Sequence, residues 1–186
     1  MRKIVVTEFV SLDGVMENPA WTTPYWNDEI AKFKLDELFA SDLLLLGRVT
    51  YQGFAAAWPS RTDEEGFADR MNNLPKFVVS TTLEKVEWNN SRLIKDKFSE
   101  EITELKNQTG QNILVYGSAD LVDLLRRHNL VDEYQLLVYP LILGNGKRLF
   151  KETNDQVGLK LVDNRTFSSG VLALSYIPDE KKISFS

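Results

Sequence analysis

Short apolar, β-branched runs alternate with longer amphipathic segments along the chain, and this alternation predicts its elements. Ile4 to Val10 reads as a strand. Asn27 is placed to cap a helix whose inward face holds Ile30, Phe33 and Leu38 and which ends near Ala40. Leu43-Leu44-Leu45-Leu46, an unbroken apolar run between Asp42 and Gly47, has the length of a buried central strand. Val49 to about Trp58 predicts a short helix stopped by Pro59. Phe77-Val78-Val79 and, more weakly, Arg92-Leu93-Ile94 predict two further strands. Ser99 is placed to cap a helix reaching about Gln108, with Gly110 as its stop. Ile113 to Tyr116 is a strand. Ser118 then caps a helix with Leu121, Leu124, Leu125 and His128 on one face. Tyr134 to Tyr139 is a strand ended by Pro140. Leu159 to Asp163 and Val171 to Ile177 are strands joined through Ser168-Ser169-Gly170, a hairpin signal.

Strand and helix in alternation imply an α/β fold with a largely parallel sheet and helices on both faces. The closing hairpin adds at least one antiparallel strand at the edge. The 186 residues suit one domain, expected over 1–178, with a tail at 179–186. Apolar residues make up 43% and charged residues 26%, and the net charge of -5 argues against a nucleic-acid or anionic-membrane partner. There is no cysteine and a single histidine, His128, which suits the negative end of its helix. Thiol catalysis, disulfides and histidine-rich metal centres are therefore not expected, and chemistry carried by a bound cofactor remains. Ile4-Val5-Val6 is too short and too soon interrupted for a signal peptide, and no run approaches the roughly 20 apolar residues of a membrane span, so a cytoplasmic location is expected. The exposed edge after the hairpin makes a homodimer an option.

Two apolar strands end in glycine and lead straight into helices: Leu46-Gly47-Arg48-Val49-Thr50 and Tyr116-Gly117-Ser118-Ala119-Asp120. A helix N-terminus offers free N–H groups and partial positive charge to an anion, and glycine lets a phosphate come close. In a parallel sheet both turns lie at the carboxyl edge, where ligands bind. Together they suit a diphosphate, with Arg48 on a further phosphate and Thr50 donating a hydroxyl hydrogen bond. Each turn alone is also explained by packing, and Arg48 by a surface ion pair.

At this point the chain resembles the dihydrofolate reductase superfamily, and within it the stand-alone proteins related to the RibD C-terminal domain of riboflavin biosynthesis. The resemblance rests on the order and spacing of Ser11-Leu12-Asp13-Gly14, Leu46 to Tyr51, Val115 to Ser118 and Pro140 to Gly146. It implies a three-layer α/β/α fold with a mixed, mostly parallel eight-stranded sheet, and an NADPH site. Gly47, Arg48, Val49 and Thr50 match the family's first phosphate segment. Gly117, Ser118, Ala119 and Asp120 match its second, with Tyr116 and Leu121 flanking it. Ser80, Thr81 and Thr82 match the side that takes the adenosine 2′-phosphate. Val6 and Thr7 match positions beside the nicotinamide, and Val15 and Met16 the loop that covers it. Where dihydrofolate reductases carry paired glycines, this chain has Gly117-Ser118.

For the chemistry, Asp28 is the candidate acid at the start of the first helix, with Glu29 beside it, and both also suit that position by helix dipole alone. Asp13 reads either as a turn former or as a group positioning the cofactor or the substrate loop. Trp26, within the aromatic cluster of Trp21 and Tyr25, and Tyr51 and Phe54, one helical turn apart, are candidate walls for a flat substrate, with core packing as the alternative. Leu141 and Gly144 fall in the segment that the resemblance tilts toward the substrate side or a subunit contact. The expected function is hydride transfer from NADPH to a small heterocyclic or carbonyl molecule, a ribosylaminopyrimidinone or dihydrofolate. A phosphorylated substrate would call on Lys147 and Arg148. A nucleotide-binding module without turnover and a ligand-free structural dimer are the alternatives.

Overall fold

The computed structural model describes residues 1–153 and 156–179, and the predicted tail from residue 180 onward lies outside the described residues. Eight strands form one sheet: β1 (Ile4–Ser11), β2 (Ser41–Gly47), β3 (Lys76–Val79), β4 (Ser91–Ile94), β5 (Asn112–Val115), β6 (Glu133–Tyr139), β7 (Gly158–Thr166) and β8 (Leu172–Asp179). Their order is β4-β3-β2-β5-β1-β6-β8-β7. The first six run parallel, β8 pairs antiparallel with β6, and β7 closes the edge antiparallel to β8. Five helices join them: α1 (Asp28–Phe39), α2 (Arg48–Ala57), α3 (Phe67–Asn73), α4 (Phe98–Asn107) and α5 (Ala119–Arg127), with a 3-10 helix at Pro19–Tyr25.

The central strands are apolar throughout because both faces are covered. Along β1, Ile4 and Val6 point into a core shared with Ile102 of α4 and Leu121, Val122 and Leu125 of α5. Val5, one residue out of phase, faces the opposite core with Leu38, Tyr51 and Met71 of α1 to α3. A third cluster, around Ile30, Tyr139 and Phe167, packs the start of α1 on the antiparallel end of the sheet. Truncating any of these fully buried aliphatics to alanine costs about 2–5 kcal/mol. β7, by contrast, is exposed at every position after Gly158. Among the described residues, no helix is long and apolar enough to cross a membrane.

Three local expectations change. α4 starts at Phe98, with Lys97 in the left-handed region as its N-cap, so Ser99 lies within the first turn and does not cap. Phe98 packs against the core beneath α4 and draws the chain into the helix early. α3 was not apparent from periodicity; it is short, and the Asp63 carboxylate accepts from the amides of Phe67 and Ala68 at its start. Finally, β8 runs through Asp179, past the expected end of the domain.

Candidate active site

β2 and β5 are parallel neighbours, so the glycine turns that follow them emerge side by side at the carboxyl edge of the sheet. The Gly47 amide donates to the Gly117 carbonyl at 2.9 Å, which ties the turns together. α2 begins after Gly47 and α5 after Ser118, and neither start has a side-chain cap, whereas Asn27 caps α1 by accepting from the Ile30 amide. Two sets of free helical N–H groups thus open on the same edge. Gly117 has φ +99, and a Cβ there would lie 2.7 Å from Glu8 Oε1 and 3.1 Å from Thr50 Oγ1. The turn can follow this path only as glycine.

A cleft lies on each side of the joined turns. The larger, about 430 Å³, is bounded by Thr7, Glu8 and Phe9 of β1, Lys34 of α1, Thr50 and Phe54 of α2 and Tyr116, with Met16 and Lys147 on its rim. The second, about 340 Å³, runs past Arg48, the Ser80-Thr81-Thr82 segment, Asp120 and Leu121 toward Arg127 and Lys151. Val49 and Ser118 belong to both. In the second cleft the Ser80 hydroxyl accepts from the amides of Thr82 and Leu83, which folds the loop into a turn. Lys147 and Lys151 both pair with Asp120, whose carboxyl is held down at about 2 by those contacts.

The floor of the larger cleft is charged and buried. Lys34 is 4% exposed; its ammonium donates to Thr7 Oγ1 at 2.8 Å, pairs with Glu37 one turn along α1, and lies 4.8 Å from the centre of the Tyr116 ring. Glu8, 7% exposed, accepts no hydrogen bond at Oε1. Burial pushes the Glu8 carboxyl up to about 8; the Lys34 ammonium opposes the rise and the Glu37 carboxylate adds to it. Burial and Glu37 likewise raise Tyr116, whose hydroxyl is buried without a partner.

Residues 2–173 match the family model of the RibD C-terminal domain. The chain belongs to that family. Within it, the protein is 32% identical over 178 residues to the uncharacterized protein YyaP of Bacillus subtilis, with 94% of each chain covered. A Shewanella sp. PV-4 protein named for riboflavin biosynthesis has the same fold, with a TM-score of 0.76 at 21% identity over 96% of this chain and 99% of that one. Dihydrofolate reductase from Enterococcus faecalis, solved with NADP(H), shares it too, with a TM-score of 0.63 at 13% identity over 96% of this chain and 97% of that one.

In this RibD C-terminal domain protein the residues expected at the cofactor gather at the two clefts in large part. Thr7, Met16, Thr50, Tyr116 and Ala119 line the larger, Gly47, Arg48, Ser80, Thr81, Thr82, Asp120 and Leu121 the smaller, and Val49 and Ser118 both. Val6 is fully buried in the core, and Val15, 1% exposed, bridges to Arg148, so these two sit behind the lining.

The expected catalytic and substrate residues fare differently. Asp28 is exposed on the first turn of α1 and borders neither cleft, because that turn faces away from them. Glu29 is engaged by Ser168, whose amide donates to it at 2.8 Å. Asp13 accepts from the Ser11 hydroxyl and from the amides of Leu143 and Gly144, which hold its carboxyl at about 2 and pin the segment containing Leu141 and Gly144 to the end of β1. That segment borders neither cleft. Phe54 lines the larger cleft, but Tyr51 is a core residue whose hydroxyl accepts from the amides of Glu87 and Trp88. Trp26 is 46% exposed and meets Phe9 edge-on. Sequence reasoning missed Glu8, Lys34 and Glu37. The signal was there: Ile30, Lys34, Glu37 and Leu38 follow i, i+4, i+7, i+8 spacing, which puts two charges on the buried face of α1, and Glu8 interrupts a central strand.

Proposed function

We propose that the protein is an NADPH-dependent reductase that passes a hydride to a small heterocyclic or carbonyl substrate. One observation carries the reading: two uncapped helix starts, tied by the Gly47–Gly117 hydrogen bond, open between two clefts. The residues present fit a dinucleotide phosphate. The amides opening α2 and α5 would take the diphosphate, with the positive ends of both helix dipoles behind them. Arg48, exposed and hydrogen-bonded among the described residues to Gln52 at 3.2 Å, would swing to the 2′-phosphate with the hydroxyls of Thr81 and Thr82. Thr7, Met16 and Phe54 would flank the ring end in the larger cleft and exclude water from it. When bound, the cofactor supplies the hydride.

Family membership supports a reductase, and the shared fold of a dihydrofolate reductase that binds NADP(H) supports the cofactor. Two clefts beside the turns disfavour a purely structural role.

The test is fluorescence titration with both nicotinamide cofactors. Arg48→Ala removes a charge-assisted contact of about 1.5–3 kcal/mol, so NADPH affinity should fall roughly ten- to hundredfold while NADH affinity hardly moves. Equal losses for both would remove Arg48 from the 2′-phosphate, and wild-type protein that binds neither at high micromolar concentration refutes the reductase reading. Turnover is assayed as NADPH oxidation with dihydrofolate, a 5-amino-6-ribosylaminouracil and 4-nitrobenzaldehyde as acceptors.

A further inference from the structure

Three buried ionisable side chains meet under the larger cleft: Glu8, Lys34 and Glu37. Two carboxyls face one ammonium. Lys34 spends its hydrogen bonds on Glu37 and Thr7 and gives none to Glu8. A buried carboxylate without a donor is strongly disfavoured and takes up a proton instead. Glu8 is therefore the member of the trio that carries a proton, and a neutral carboxyl is a hydrogen-bond donor. Oε1 is buried and makes no hydrogen bond among the described residues, and the side chain borders the cleft beside Thr50, Met16 and Gly117. Tyr116 lines the same cleft, and its hydroxyl is buried and also unpartnered. A buried, unpartnered donor in the wall of a cleft is satisfied by an acceptor atom of whatever fills that cleft.

We infer that Glu8 is the proton donor of the reaction, handing its carboxylic proton to a carbonyl oxygen or imine nitrogen of a substrate held in the larger cleft. This rests on the reductase reading above. The balance is simple. Two electrons reach the substrate carbon as a hydride from the dihydronicotinamide, which is oxidised. The C=O or C=N π bond breaks, and its pair takes the Glu8 proton. Glu8 is left as a carboxylate beside the Lys34 ammonium and is reprotonated from water entering the cleft. The substrate class follows: an uncharged, flat acceptor. Both cations that border this cleft, Lys34 and Lys147, are already paired, with Glu37 and Asp120, so no free positive charge is offered to a phosphate or carboxylate tail.

The groups facing Glu8 are Lys34 and Glu37 from α1 and Tyr116 just after β5, with Glu17 and Lys147 also lining the cleft. Burial, with Glu37 adding to it and Lys34 opposing it, keeps Glu8 protonated up to about pH 8. Infrared spectroscopy near neutral pH should show the carbonyl stretch of a protonated carboxyl in the wild type that is missing from Glu8→Gln and that titrates away near pH 8. On the fastest of the three acceptors, Glu8→Gln should lose roughly a hundredfold or more in kcat. The wild-type kcat should fall above about pH 8, a limb the variant lacks. The variant should bind NADPH within about threefold of wild type, which shows that it is folded. Absence of the band, or a variant rate within about threefold of wild type, overturns the assignment of Glu8 alone. Wild-type protein that binds no NADPH overturns the reductase reading and this step together.

Discussion

Replacing Gly47 by alanine tests the contact that joins the two phosphate turns. Gly47 has φ −77, an ordinary value, so the backbone pays nothing for a side chain there. The added methyl, however, would lie 2.7 Å from the Ser118 amide nitrogen and 3.0 Å from Ser118 Cβ, besides striking the Ser118 hydroxyl. Rotating the serine relieves the hydroxyl but not the backbone nitrogen, so the start of α5 must move away from β2. Overpacking of this kind costs about 1–3 kcal/mol. At about 2 kcal/mol, a chain of this length loses roughly 4–8 °C in Tm. The larger effect falls on the ligand. In the complex proposed above, moving the α5 amides away from those of α2 would break at least one amide–phosphate contact of about 1.5–3 kcal/mol, a roughly ten- to hundredfold weaker NADPH complex. Thermal unfolding with and without NADPH reads both: apo Tm falls, and the rise on adding cofactor shrinks with affinity. Adding Ser118→Gly removes the hydroxyl and the Cβ but leaves the amide nitrogen, so it should restore only part of the loss. A Gly47→Ala protein with unchanged Tm and NADPH affinity would mean that the turns are not in contact, and the dinucleotide site would fall with them.

Tyr51→Phe separates a core role from a pocket role: the Glu87 and Trp88 amides lose their shared acceptor in a 5% exposed setting, so stability should drop by about 1–3 kcal/mol in urea unfolding while NADPH affinity stays unchanged. The Glu8 carboxyl predicts an unusual pH dependence. Its pKa is raised from 4.5 to about 8 on folding, so between those values the folded chain holds a proton that the unfolded chain has released. The stabilisation is complete below the unfolded value and is lost as pH rises toward about 8, and Glu8→Gln should flatten this decline in denaturant midpoints. A wild-type midpoint that rises across that window, with no difference from the variant, would contradict the raised value.

The hydrophobic rhythm determined much of this protein. The length of the Leu43 to Leu46 run favoured a strand covered on both faces over a helix, Asn27 marked the start of α1, and the Ser168-Ser169-Gly170 turn announced the antiparallel end of the sheet. These are local signals, set by side-chain spacing and backbone preference within a few residues. The two glycine turns were legible for the same reason: each is a strand end and a helix start in one short segment. That they touch was not, since it depends on β2 and β5 being neighbours although some 70 residues separate them along the chain.

Glu8 already stands out in the sequence as a charge inside an apolar strand, but its pairing with the buried face of α1 is set by tertiary structure. Asp28 looked apt because it opens α1, yet it points to solvent. Glu8 and Lys34 lie on different elements, and the Thr7–Lys34 hydrogen bond spans 27 positions. A carboxyl in a strand has no unusual affinity for its proton until packing seals it from water, and burial is what pushes the Glu8 carboxyl up. The same holds for Tyr51, whose place one turn from Phe54 suggested a shared wall, while the 85–88 segment folds over its hydroxyl and takes it into the core. Periodicity tells which side of an element is buried; what waits on that side, and whether water reaches it, is set by the partner that packs there.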